Sequence, residues 1–219
     1  MLFPLFTRIT PEPLRDGVLE KLKKNLEEKQ YLDTGSSGLP ILLKYFVEDL
    51  KRPDLLISCL TREEYPSYGN FIRRGESAWP EYWEIDGIDS RIHTCYTSIA
   101  GYFIRGIGGV QPDPEDPGMK QCVIRPSFIS ELDYANTSTT SLYGPISCDW
   151  KRSEGGIELI VRIPPNSSGI LDLGSYPKDS ISESGLALGD AEGIEEIKTG
   201  SVENGLGLGS GIYHFLLKT

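Results

Sequence analysis

Apolar residues recur at two different periods along this chain, and the period changes near its middle. Leu14, Val18, Leu22 and Leu26 follow one another at i+4, the spacing of one helix face. Thr10-Pro11-Glu12 just ahead of them predicts the helix start: a hydroxyl N-cap, proline at N1, then an acid at the positive end of the dipole. Lys21, Lys23, Lys24, Glu27 and Glu28 cover the other face. A turn-rich stretch over 31–38 ends this element. A second helix is predicted from Leu39-Pro40, with Leu42, Leu43, Phe46, Val47 and Leu50 as its stripe. A third, short helix starts at Arg52-Pro53-Asp54 and runs to about Leu60. A fourth is predicted over 90–106, with Ser90 as N-cap and Ile92, Tyr96, Ile99 and Phe103 on one side. Between the third and fourth lies an aromatic-rich loop over 65–87, and loops of that length within compact domains tend to carry function.

From about residue 120 the period drops to two. Ile157, Leu159, Val161 and Ile163 alternate with Glu158, Ile160 and Arg162, and Ile146-Ser147-Cys148-Asp149-Trp150 alternates likewise. Cys122–Arg125, Gly169–Leu173, Gly193–Lys198 and Ile212–Leu217 are further strands, and Gly155-Gly156 between two runs is a hairpin signal. The segment from Gln111 to Gly118 carries three prolines, each holding the preceding residue extended, and reads as a stiff strap. The division expected is helical residues 1–110, a proline-rich linker over 111–121, and an antiparallel β-sandwich over 122–219.

Composition narrows the function classes. The net charge of −10 argues against nucleic acid, whose phosphates need a basic footprint. No apolar run approaches the roughly 18 residues of a membrane span. Met1-Leu2-Phe3-Pro4-Leu5-Phe6 has no basic n-region, so it does not read as a signal peptide; it resembles a helix interior more than a frayed terminus. Cys59, Cys95, Cys122 and Cys148 form no CxxC pair, and only His93 and His214 accompany them. No metal or cofactor is expected, and the cysteines read as free structural thiols. Asn136 and Asn166 begin sequons that matter only in a glycosylating pathway. Glu131, Asp133 and His214 read as surface.

One loop segment carries chemistry. Within Trp79-Pro80-Glu81-Tyr82-Trp83, three aromatics surround one carboxylate. Aromatic faces take the C–H faces of sugar rings, exclude water and tune a carboxylate's pKa. Glycosidases set two such carboxylates across the scissile bond. The plain alternative is a packed aromatic lid with Glu81 paired to Arg73 or Arg74.

The order of several short motifs extends this reading. Leu32-Asp33-Thr34-Gly35 and Arg52-Pro53-Asp54-Leu55 come first. Tyr65-Pro66-Ser67-Tyr68-Gly69, Gly75, the Trp79–Trp83 segment and Ser90-Arg91-Ile92-His93 follow. Gly101-Tyr102-Phe103, Gly108-Gly109-Val110, Pro117-Gly118 and Ile124-Arg125-Pro126 complete the series. Over about 3–173 this series resembles the end of the catalytic domain of glycoside hydrolase family 78, the α-L-rhamnosidases. The resemblance implies the last helices of an (α/α)₆ toroid followed by an antiparallel β-domain. It implies inverting hydrolysis of terminal α-L-rhamnosyl residues from a glycoside or polysaccharide, without a cofactor. It makes Glu81 the general base, and it puts His93, Trp83, Tyr68 and Trp79 around the sugar.

The chain also departs from that family's pattern. Pro80-Glu81-Tyr82-Trp83 stands where the commoner form reads Trp-Glu-Arg-Trp, and Tyr31 stands where histidine is common. Nothing matches the Asp- and Arg-rich motif of the family's general acid, or the toroid's early helices. Apolar helix faces are therefore expected to be open to water, and each such face forgoes several kcal/mol of burial at about 25 cal/mol per Å². The expectation is a C-terminal fragment, inactive by itself. A non-catalytic truncated product or sugar-binding β-domain, and another (α/α)₆ glycosidase, are the alternatives.

Overall fold

The computed structural model describes residues 1–87, 90–199 and 202–218. They form two compact units, 1–102 and 103–219.

Unit one is helical. Its elements are α1 (Leu2–Phe6), α2 (Glu12–Lys29), α3 (Leu39–Lys44), α4 (Ile57–Thr61), α5 (Tyr68–Arg73), α6 (Thr94–Thr97) and α7 (Ile99–Gly101). A π-helical turn, Tyr45–Asp49, prolongs α3, and a 3₁₀ turn, Pro53–Leu56, leads into α4. The expected helix start at Leu39 is found, but α2 begins one residue later than expected: Pro11 and not Thr10 is its N-cap, and no side-chain cap bond is made, because the Thr10 hydroxyl is buried away from the helix amides. The α3 stripe is buried at Leu42, Leu43, Phe46 and Val47. The α2 stripe is buried only at its C-terminal half, at Leu22 and Leu26, while Leu14 is 59% exposed. Gln30, left-handed at φ 57°, stops α2.

Two further sequence expectations need correction. The helix expected over 90–106 is broken into α6, α7 and a π-helical stretch, Tyr102–Ile107, and it begins after His93 rather than at Ser90. Ile92 therefore lies outside the helix and is 75% exposed. Periodicity alone counted it into the stripe. The stretch over 65–87 is not one loop, because α5 sits inside it.

Unit two is built from two sheets. Strands β1 (Val110–Pro112), β2 (Gln121–Ile124), β6 (Ser168–Asp172), β10 (Val202–Leu208) and β9 (Ile194–Thr199) lie in that order in the first sheet. Strands β3 (Tyr134–Ser141), β4 (Gly144–Ser153), β5 (Gly156–Ile163), β11 (Gly211–Leu217), β7 (Ile181–Glu183) and β8 (Leu186–Ala187) lie in that order in the second. Pairing is antiparallel throughout except between β2 and β6, where Cys122 faces Gly169 in a parallel register. Ile157, Leu159, Val161 and Ile163 are all buried, as their alternation requires. Cys59, Cys122 and Cys148 are buried free thiols, and Cys95 is half-buried. Burial pushes the Cys122 thiol up to about 12, so it is an uncharged apolar group here.

The segment read as a linker takes part in the first sheet. Val110 pairs with Ile124, and Pro112 with Cys122. Asp113 is buried and its Oδ1 accepts from the Glu115 amide at 3.0 Å. Strands β1, β3, β7, β8 and β10 escaped the sequence pattern. β3 is an edge strand of Ser, Thr and Asn with only Thr137 buried. β10 is interrupted by glycines whose missing side chains leave room for Ile170 and Ile197.

The Gly108-Gly109-Val110 motif acquires a physical reason. Gly109 has φ +76°, and a Cβ there would lie 2.0 Å from the Arg125 carbonyl carbon. The Arg125 amide donates to the Gly109 carbonyl at 2.9 Å. Arg125 Nε in turn donates to Asp172 Oδ2 at 2.6 Å; Asp172 is buried and the Arg125 side chain is 15% exposed. These motifs are a structural clasp inside unit two.

Candidate active site

The end of α4 sets the position of the aromatic site. Ser67 caps α5, its Oγ accepting from the Asn70 amide at 3.0 Å. The Asn70 side chain donates to the Glu63 carbonyl at 2.9 Å. Gly69 is pressed on the end of α4: an added Cβ would stand 2.3 Å from the Arg62 carbonyl oxygen and 2.4 Å from that of Thr61. Only glycine allows this approach. Gly69→Ala is expected to destabilise unit one by roughly 1–3 kcal/mol, as overpacking against backbone does, read as a lowered urea midpoint. An unchanged midpoint would refute the close approach.

That seat puts Tyr68 at the centre of a ring cluster. Its centroid lies 5.2 Å from Trp79, 5.3 Å from Trp83, 6.0 Å from Phe71 and 6.3 Å from Tyr96, nearly edge-on to the first three. Phe71 stacks on Trp83 at 5.6 Å, and Trp83 meets Tyr96 at 4.8 Å. Aromatic pairs of this kind add about 0.5–1.5 kcal/mol each beyond area burial. Two polar atoms of the cluster are bound to backbone carbonyls. Tyr68 Oη donates to the Tyr96 carbonyl at 2.6 Å, and Trp83 Nε1 donates to the Thr34 carbonyl at 2.9 Å. Burial raises both tyrosine pKa values well above the ordinary range, so Tyr68 and Tyr96 are neutral walls.

Thr34 is itself held. Gly38 leaves room for its hydroxyl, since a Cβ at Gly38 would fall 2.0 Å from Thr34 Oγ1. The loop ahead of it is pinned by Arg62, whose Nη1 donates to the Lys29 and Gln30 carbonyls at 3.3 and 3.2 Å. The Arg62 guanidinium also lies 6.0 Å from the Tyr31 ring. The sequence motif at 32–35 thus serves the site by presenting one carbonyl to Trp83.

Trp79, Glu81 and His93 are half-buried, whereas Tyr68 and Trp83 are buried. The His93 amide donates to the Trp79 carbonyl at 2.9 Å, which ties the start of α6 to the Trp79–Trp83 segment. Glu81 lies close enough to Cys95 for its charge to act there: burial first, and Glu81 after it, hold the Cys95 thiol above its ordinary value. The five site residues therefore all belong to one region of unit one. The pairing of Glu81 with Arg73 or Arg74 is not found. Arg74 binds Asp86 at 2.7 Å, Arg73 Nε donates to the Glu63 carbonyl at 3.0 Å, and among the described residues Glu81 has no ion-pair partner. Phe71, Cys95 and Tyr96 are part of the cluster and were not assigned to it from sequence. Tyr96 was legible only as a member of a helix stripe.

Comparison with known proteins follows the same line. Residues 1–107 match the model for the bacterial α-L-rhamnosidase six-hairpin glycosidase domain, and residues 109–187 match that for the bacterial α-L-rhamnosidase C-terminal domain. An α-L-rhamnosidase of Streptomyces avermitilis is 30% identical over 174 residues, 75% of this chain and 17% of that protein. One from Formosa agariphila is 27% identical over 219 residues, 95% of this chain and 22% of that protein. The crystal structure of a Streptomyces avermitilis α-L-rhamnosidase complexed with L-rhamnose superposes with a TM-score of 0.82 at 25% identity, over 98% of this chain and 21% of that one. The α-L-rhamnosidase of Dictyoglumus thermophilum shares the fold at a TM-score of 0.84 and 23% identity, over all of this chain and 25% of that one. The chain spans about a fifth of the length of the curated relatives it matches.

Proposed function

We propose that this chain, which belongs to the bacterial α-L-rhamnosidase family, supplies the general-base half of an inverting glycosidase site for terminal α-L-rhamnosyl residues. The observation that carries the proposal is the half-buried Glu81, without an ion-pair partner among the described residues, in a segment whose Trp79 and Trp83 both pack on Tyr68. A carboxylate without a cationic partner is available to accept a proton.

In this reading Glu81 takes a proton from a water on one face of the sugar. That water attacks the anomeric carbon as the glycosidic bond breaks on the other face. The leaving oxygen is protonated by an acid that lies outside these 219 residues. The two carboxyls of such a pair stand about 6.5–9.5 Å apart, which leaves room for the water. Trp79 packs on the C–H face of the ring. His93 bonds to a hydroxyl from the start of α6. Trp83 and Tyr68 form the wall behind them, held rigid by their bonds to Thr34 and Tyr96. Burying these rings beneath the site gives it a fixed shape before the sugar arrives, which lowers the cost of binding.

Within the 219 residues alone, one carboxylate binds sugar without turnover. With the barrel completed by its remaining helices, hydrolysis of an aryl α-L-rhamnoside is expected to release β-L-rhamnose first. Time-resolved proton NMR of the anomeric signals reads this directly. Initial release of the α-anomer would assign retention and remove the water-activating role of Glu81.

A further inference from the structure

We propose that β3 is a docking edge for a second copy of this chain, and that two copies join their six-stranded sheets through a β3–β3 pairing about a two-fold axis. β3 ends the second sheet, next to β4. A strand in that place carries a row of amides and carbonyls that can template another strand, and chains commonly blunt such rows with shortness, charge, proline or a bulge. Among the described residues the two sheets have three other edges, and each is blunted. β1 is three residues long and holds Pro112, β8 is two residues long, and β9 carries the exposed Glu195 and Glu196. β3 uses none of these devices. Its eight residues hold no charge, proline or glycine, and they pair with β4 without a register shift.

The direction of the free backbone groups follows from the pairing with β4. The Thr137 amide points at β4, where Asp149 Oδ1 accepts it at 3.0 Å, and the Asp133 carbonyl accepts from the Arg152 amide at 2.8 Å. Along a strand, residues turn their amide and carbonyl alternately to one side and the other. The odd-numbered residues of β3 therefore bond to β4, and Tyr134, Asn136, Ser138 and Thr140 turn their backbone groups to the open edge. Their side chains are exposed, whereas Thr137 between them is buried.

The edge is complementary to itself. A two-fold axis at Thr137 sets Asn136 opposite Ser138 of the partner, and Tyr134 opposite Thr140 of the partner. Each outward amide and carbonyl then meets an outward group, and none is left over. No charge in the strand faces a like charge, because the strand carries none. The same axis sets Leu142 opposite Leu132 of the partner. Leu142 stands at the tip of the β3–β4 hairpin and is 95% exposed, and Leu132 is half-buried. The pairing therefore covers an apolar side chain that the single chain leaves in water. Since each copy offers one open edge, association closes at two and does not run on into a filament.

Sedimentation velocity of the 219-residue chain is expected to show a monomer–dimer equilibrium. One strand pairing buries less than a standard interface, so the dissociation constant should be roughly 10⁻⁵–10⁻³ M. Amide exchange at Tyr134, Asn136, Ser138 and Thr140 should slow as the concentration rises, whereas exchange at Thr137 and Thr139 should change little. Ser138→Pro removes one outward donor, a change that a solvent-facing edge tolerates in the monomer, and should abolish the dimer. Leu142→Ser, at a position with almost no packing in the single chain, should weaken the dimer by about tenfold or more. A chain still monomeric at about 1 mM would overturn the proposal. So would a dimer that survives Ser138→Pro, or one that Leu142→Ser leaves equally tight. Slow exchange at the four outward amides in a dilute monomer would overturn it as well, since the edge would then be covered from within the chain.

Discussion

Glu81→Gln is expected to lower kcat on an aryl α-L-rhamnoside by about 10²–10⁴-fold in a protein whose barrel is complete, with KM little changed. Glutamine keeps the shape and one carbonyl acceptor but cannot take a proton. The surroundings predict a clean effect. Glu81 makes no ion pair among the described residues, so the substitution strands no buried cation. The ring cluster does not depend on its charge, since Tyr68 and Trp83 are fixed through backbone carbonyls. The fold should therefore survive and the rate alone should fall. Steady-state kinetics with a melting curve on the same sample decide it. Near-wild-type turnover would remove Glu81 from the base role, and a collapse of stability would assign it a packing role instead.

Asp172→Ala is expected to cost unit two about 3–5 kcal/mol, the usual cost of removing one partner from a buried ion pair. Arg125 would be left charged and 15% exposed, with its 2.6 Å bond gone, and the Gly174 amide would lose its acceptor. Whole-domain stabilities are of the order of 5–15 kcal/mol, so this one change is a large share. Amide hydrogen exchange across β4, β5 and β11 measures it. A control separates desolvation from packing: Arg125→Met with Asp172→Leu removes both charges and should recover most of the loss. If the double variant is as unstable as Asp172→Ala, the cost lies in packing around β6 and not in an orphaned charge.

The two substitutions fall on motifs that look alike in the sequence. Trp79–Trp83 and Ile124-Arg125-Pro126 both stood out as members of one ordered series. The tertiary structure gives them different physics. The first sits partly exposed, its carboxylate without an ion-pair partner among the described residues. The second is a clasp in which Gly109 lies against the Arg125 backbone and Asp172 answers its guanidinium. A recurring motif marks a constraint, and only its surroundings say whether the constraint is chemical or mechanical.

Much of the architecture could be read from residue periods. The helix starts near Glu12 and Leu39 and the strands around Ile146–Trp150, Ile157–Ile163 and Ile212–Leu217 follow from local rules, because proline in a first turn and strand alternation act over a few residues. Glu81, with its aromatic neighbours Trp79 and Trp83, was equally legible, since all three lie within five positions. What local rules could not reach was contact between distant positions. The break at His93, the parallel pairing of β2 with β6, the strand made by Val110–Pro112, and the Trp83–Thr34 bond across 49 residues depend on which surfaces meet. Sequence by itself determined the family, the change from helix to strand, and the aromatic-flanked carboxylate. The tertiary structure alone decided that this carboxylate has no ion-pair partner among the described residues, and that Trp83 and Tyr68 are buried while Trp79 is half-buried. Pairing and burial are properties of packed surfaces, and residue order does not contain them.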